Sequence, residues 1–164
     1  MFLASYFLIF EFFYTSDISD WAEIESDADV RRFVDGKVLS LKEAGEYVEL
    51  NIRQYQTHEY GRYAVRLKES RKLIGMCGFL NETYGIDFGY RYSKDSWGKG
   101  LGFEAGKEVL EYGFSELGLE KVVGLTAEQN YGSIRILEKL GFKFQETFLF
   151  NNTKAFKYFY TGVS

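Results

Sequence analysis

Apolar residues recur along this chain with two different periods, and the switches between them mark out its elements. Ile86, Phe88, Tyr90 and Tyr92 alternate with Asp87, Gly89 and Arg91, the two-residue period of a half-buried strand. After a loop, Phe103, Gly106, Leu110, Gly113 with Phe114, and Leu117 recur every three or four residues. One face of a helix therefore turns toward a sheet, and Gly118 is its expected stop. Residues 2–14 are almost wholly apolar and read as one long first strand covered on both faces. In 16–34, Ser16, Asp17, Ser19 and Asp20 precede Trp21 and Ile24, which predicts one or two short helices. Ser40 and Glu43 form a capping box ahead of a helical stripe, Leu41, Ala44, Val48, Ile52 and Tyr55, that runs to about His58.

Residues 60–68 and 72–80, joined by the turn Glu69-Ser70-Arg71, predict an antiparallel hairpin, and the strand from Ile86 extends it to a meander. Residues 120–127 make a short apolar strand, parallel to its predecessor if the helix crosses over. Asn130 caps a helix over 131–140 that turns Ile134, Leu137 and Leu140 inward and ends at Gly141. A last hairpin pairs 142–150 with 154–161 across Asn151-Asn152-Thr153. The expected fold is a single α/β domain over residues 1–164, with a mixed, mainly antiparallel sheet of about seven strands and about four helices.

Composition narrows the chemistry. A formal charge of -4 and a pI near 5.2 give no global attraction to nucleic acid or anionic lipid, so any anion site must be local. His58 is the only histidine and Cys77 the only cysteine, which removes the usual ligands of a zinc site and the base of a histidine triad, so no metal is expected. A lone cysteine cannot form an internal disulfide and points to a reducing, cytoplasmic setting. Residues 2–14 are too short for a membrane span, and Glu11 interrupts them. An alternative reading makes this aromatic stretch a surface for a partner subunit, as in a homodimer.

The candidate chemistry lies in Trp97-Gly98-Lys99-Gly100-Leu101-Gly102, between the strand and the helix. Gly98, Gly100 and Gly102 leave backbone N–H groups unscreened at the positive end of a helix dipole, an arrangement suited to phosphate, and Lys99 adds a cation. The run from Gly100 to Ala105 formally fits G-x-G-x-x-A, but it follows an antiparallel meander rather than the first strand of a parallel nucleotide-binding unit. A second stretch, Asn130-Tyr131-Gly132-Ser133, is followed by Leu137-Glu138-Lys139-Leu140-Gly141-Phe142.

Taken together, meander, x-x-x-G-x-G loop, helix, strand, Asn-x-x-Ser, helix and Lys-Leu-Gly-Phe resemble the GNAT superfamily of acyl-CoA-dependent N-acetyltransferases. The run from Trp97 to Ala105 is especially similar to the branch that acetylates N-terminal alanine or serine of ribosomal proteins. The resemblance implies a sheet whose fourth and fifth strands splay, acetyl-CoA as co-substrate and an amine as acceptor. It places the pyrophosphate on the amides of Trp97, Gly98, Lys99, Gly100, Leu101 and Gly102. The pantetheine arm would pair with the backbone of Tyr90, Arg91 and Tyr92, and Asn130 would bond it from the other side. Arg135 and Lys139 are candidates for the nucleotide phosphates. The thioester carbonyl would meet a backbone N–H near Tyr90.

Two features depart from that pattern. Many members place a tyrosine seven residues after the asparagine as general acid, where this chain has Leu137. Ser133, by the same resemblance, lies near the thiol sulfur and is the candidate partner of the departing thiolate. Arginines that the branch commonly carries on its first strand are replaced by aromatics. Asp87 is the candidate general base, with Glu82 or a water chain as alternatives. The segments around 20–58 and 144–158, rich in Tyr, Phe and Glu, would suit a cationic amine, a peptide N-terminus or a small molecule. The competing reading is a module that holds acyl-CoA without turnover.

Overall fold

The structure, a computed structural model, describes residues 3–150 and 152–163. Among the described residues, eight strands form one sheet in the order β1-β2-β3-β4-β5-β6-β8-β7. They are β1 (Leu3–Ala4), β2 (Leu8–Glu11), β3 (Arg62–Leu67), β4 (Leu73–Glu82), β5 (Gly85–Tyr92), β6 (Val122–Ala127), β7 (Lys143–Phe150) and β8 (Thr153–Tyr160). All neighbours are antiparallel except β5 and β6. Among the described residues, five α-helices accompany them: α1 (Ile18–Glu25), α2 (Ala28–Arg31), α3 (Leu41–His58), α4 (Leu101–Ser115) and α5 (Tyr131–Leu140).

Each face of the sheet carries its own core. On one face Trp21 and Ile24 of α1, Val30 of α2 and Ala44 and Val48 of α3 pack with Ala64, Leu73 and Met76. On the other, Leu101, Ala105 and Val109 of α4 and Leu137 of α5 pack with Tyr63, Val65, Cys77, Phe79, Phe88 and Tyr92. Strands β3 and β4 are therefore buried on both sides over most of their length, as expected of strands between two helical layers. Burial on both faces leaves Arg62 almost no solvent and Arg66 little. Arg66 instead pairs with Glu11 (2.8 Å) and Asp17 (2.5 Å), and Arg62 with Asp87 (2.5 Å).

Most predicted elements are present within a residue or two. The Ser40–Glu43 capping box starts α3, with Glu43 N–H donating to Ser40 Oγ at 3.1 Å and Ser40 N–H to Glu43 Oε1 at 3.0 Å. Asn130 caps α5, which stops at Gly141 in the left-handed region (φ 100°). Helix α4 ends at Ser115, earlier than expected, and Gly118 (φ 70°) lies in the turn beyond it.

The long first strand is corrected to the hairpin β1–β2; Phe2 lies outside the described residues. Ser5 N–H donates to Leu8 O (2.9 Å), while Ser5 Oγ–H and Phe7 N–H both donate to Glu104 Oε1 on α4 at 2.6 and 2.7 Å. That carboxylate holds the turn, and Tyr6 on it is 80% exposed. No helix among the described residues is long and apolar enough to cross a membrane.

Candidate active site

Strands β5 and β6 run parallel but register only at Asp87–Val123 among the described residues. Beyond that point the two strands form a fork, bordered by the backbone of Phe88–Tyr92 on one side. The fork opens toward the loop that leads into α4. Here the chain makes one 3-10 turn, Lys94–Ser96, and then enters the glycine run.

The glycines of this run have two different reasons to be there. Gly98 (φ 73°) and Gly100 (φ 78°) occupy the left-handed region, and a Cβ on either would meet nothing within 4 Å; conformation, not space, selects glycine. Gly102 has no such φ, but its Cβ would lie 3.0 Å from Ile136 Cδ1 and 3.2 Å from Tyr92 Cε2, so here space decides. Gly100 is the N-cap of α4 and supplies no side-chain acceptor; the first amide to reach a carbonyl is Glu104 N–H on Gly100 O, at 3.1 Å. The amides of Leu101, Gly102 and Phe103 thus lack intrahelical acceptors and face outward with the helix dipole. Trp97 closes the strand side, donating Nε1–H to Tyr92 O at 2.9 Å.

Across the fork stands the first turn of α5. Asn130 Oδ1 accepts Ser133 N–H at 3.2 Å, which leaves its NH2 as a donor. Tyr90 reaches over from β5, its hydroxyl 3.0 Å from both the Ser133 carbonyl and Ser133 Oγ. Burial raises the Tyr90 phenol well above its ordinary range, opposed in part by the Ser133 bond, so it remains protonated. Its ring packs between Phe88 and Tyr92, with centroids 5.7 and 6.0 Å away.

The profile of the acetyltransferase (GNAT) domain family matches residues 8–143. The chain belongs to this family. The N-acetyltransferase YnaD of Bacillus subtilis, uncharacterized, is 28% identical over 134 residues, which span 77% of this chain and 75% of YnaD. A GNAT-family acetyltransferase from Bacillus anthracis superposes with a TM-score of 0.82 at 23% identity, covering 97% of this chain and 96% of its own. A ribosomal L7/L12 α-N-protein acetyltransferase in complex with coenzyme A gives 0.82 at 15% identity, covering 96% and 95%. The fold is the mixed α/β fold of GNAT acetyltransferases, and the splayed pair expected from the sequence corresponds to β5 and β6 because the first strand is divided.

In this GNAT domain several candidate residues occupy places other than those expected. Asp87 does not fit a general base: it is 7% exposed, one carboxylate oxygen is paired with Arg62 at 2.5 Å and the other accepts the Tyr84 hydroxyl at 2.6 Å. Glu82 is exposed at the end of β4. Arg91 does not serve the fork: its backbone pairs with Met76 of β4. Its side chain turns to the opposite face, bonds Glu25 at 3.0 and 2.9 Å, and lies over Trp21 and Tyr47. The Tyr92 carbonyl is taken by Trp97 and Arg91 pairs with Met76, in register with the Ser93 N–H bond to Ile74 O, so of Tyr90, Arg91 and Tyr92 only Tyr90 turns both backbone groups to the fork unengaged.

Lys139 is exposed on α5, with Nζ 4.2 Å from the Phe103 ring centroid, and borders a groove of about 580 Å³ between α4 and α5. Leu137 is 2% exposed and packs on Gly124, so it belongs to the core. Cys77 is buried, and desolvation pushes its thiol up to about 12, which suits filler and not a nucleophile. No cluster of His, Cys, Asp or Glu among the described residues could hold a metal ion. Sequence reading missed the Tyr90 hydroxyl. Its strand position was legible, but the reach of its side chain to a residue 43 positions away was not.

Proposed function

We propose that this acetyltransferase moves an acetyl group directly from acetyl-CoA to a primary amine. The observation that carries this reading is the fork between β5 and β6 leading into a loop whose glycines leave the amides of α4 bare. The amides from Gly98 to Gly102, with Lys99, would hold the diphosphate; the Trp97 amide, expected to join them, is instead spent on Lys94 O at 3.2 Å. The backbone of Tyr90 would pair with the pantetheine arm, and the Asn130 NH2 would bond it from the far side.

The neutral amine attacks the thioester carbonyl, whose developing negative charge meets a backbone N–H near Tyr90. A C–N bond forms, the C–S bond breaks, the amine gives up one proton and the thiolate gains one. With Asp87 fully engaged by Arg62 and Tyr84, water is the carrier of the amine proton. Ser133 Oγ–H serves the departing thiolate.

Calorimetric titration with acetyl-CoA, free coenzyme A and NADH tests the site. Micromolar binding of both CoA species with none for NADH is expected; binding of none of them would remove the assignment. The second reading, acyl-CoA binding without turnover, draws on the core position of Leu137, and gains if the CoA species bind but no amine releases thiol.

A further inference from the structure

The Tyr90–Ser133 contact bridges the two walls of the fork, and among the described residues neither hydroxyl bonds anything else. Tyr90 has one hydroxyl hydrogen and two Ser133 oxygens within reach, both at 3.0 Å. The Ser133 carbonyl can only accept, and it lies inside a helix whose own amides already address its carbonyls. When the phenol donates to Ser133 Oγ, the serine's hydrogen must go elsewhere, and the open direction is the fork.

We propose that Tyr90 is a positioning residue for the leaving group: its phenolic O–H, held on Ser133, fixes the Ser133 hydroxyl so that the serine donates to the thiolate released in acetyl transfer. The idea rests on the acetyl-CoA reading above. Donors in series polarise one another, so the chain Tyr90 O–H to Ser133 O–H to sulfur is a better anion partner than a freely rotating serine. The phenol keeps its proton throughout. No proton leaves Tyr90; the sulfur takes its proton from Ser133 or water after the C–S bond has broken, and solvent restores the serine.

Packing supports the assignment. The ring is clamped between Phe88 and Tyr92, so Tyr90→Phe keeps shape and removes only the hydroxyl. The buried Leu137 on α5 contributes no donor from its own helix.

The test is the ionisation of coenzyme A bound to the full chain, followed by thiolate absorbance across pH, in wild type, Tyr90→Phe, Ser133→Ala and the double variant. A donor to the thiolate lowers the thiol pKa, and a drop of about one unit from free coenzyme A is expected in wild type. Tyr90→Phe returns most of that drop, Ser133→Ala all of it, and the double variant matches Ser133→Ala. In turnover, Tyr90→Phe lowers kcat about tenfold while KM for acetyl-CoA stays within about twofold. A wild-type shift that Tyr90→Phe leaves intact, or equal losses from Tyr90→Phe with and without Ser133, overturns the proposal and leaves the acetyl-CoA reading standing. A bound thiol with no shift in wild type also overturns it. Failure of coenzyme A to bind wild type overturns the reading beneath it.

Discussion

Arg62 on β3 reaches across β4 to Asp87 on β5: its guanidinium donates to the Gly78 carbonyl (2.6 Å), the Asp87 carbonyl (2.7 Å) and the Asp87 carboxylate (2.5 Å). The same group fills the space where Gly89 has no side chain; a Cβ there would sit 2.6 Å from Nη2. Asp87 is also where β5 and β6 last meet before the fork. The pair therefore sets the apex of the fork, and its role is structural. Arg62→Ala, which strands a buried carboxylate, should destabilise the fold by about 3–5 kcal/mol in denaturant unfolding. Gly89→Ala should also lower the denaturation midpoint, because the guanidinium must leave its three acceptors.

Asp87→Asn separates the structural role from a catalytic one. The pH–rate profile of the surviving activity should keep its shape while the melting temperature falls. Loss of the limb that reports deprotonation of a base would restore Asp87 to the chemistry.

The loop glycines should respond according to their different reasons. Gly98→Ala and Gly100→Ala meet no neighbour but force a side chain into the left-handed region, a strain of roughly 1–2 kcal/mol. They should weaken acetyl-CoA binding about tenfold or more in calorimetry, with little change in melting temperature for a loop that can relax when empty. Gly102→Ala crowds Ile136 and Tyr92 and should lower both.

Glu25, fully buried, sits between Arg31 (2.7 Å) and Arg91 (2.9 Å) and ties α1 and α2 to the far face of β5. Glu25→Ala should cost about 3–5 kcal/mol, since buried Arg31 and half-buried Arg91 lose their shared partner. Hydrogen exchange should show the loss first in α1 and α2.

The local signals of the sequence were read well where the chain itself supplies the cause. Ser40 and Glu43, Asn130 and Gly141 cap helices through their near neighbours, and the two-residue period of Ile86–Tyr92 marks β5 directly. Partners distant in sequence left no such trace. The first strand breaks into a hairpin because Ser5 and Phe7 meet Glu104, 99 and 97 residues away. Asp87 looked available as a base because Arg62 and Tyr84 cannot be seen beside it in the sequence. The glycine loop was legible, while the hydroxyl pair across the fork depended on where Tyr90 points.

Cys77 gives a reporter of global opening. Burial raises its thiol pKa to about 12, against about 8.5 for a free thiol, so between those values only the unfolded chain loses the proton. That linkage makes a stability contribution present below the lower value and lost as pH rises toward the upper one. Alkylation of the native protein at mildly alkaline pH should be slow and should accelerate with denaturant in step with unfolding.

Acetyl transfer itself is the central claim. Incubation of the full chain with acetyl-CoA and a panel of peptide N-termini and small primary amines, with thiol release and acceptor mass followed together, tests it most directly. One class of amine should gain a single acetyl group in step with the thiol released. Saturable binding of acetyl-CoA with no thiol released above the rate without protein, for every amine tried, would contradict it.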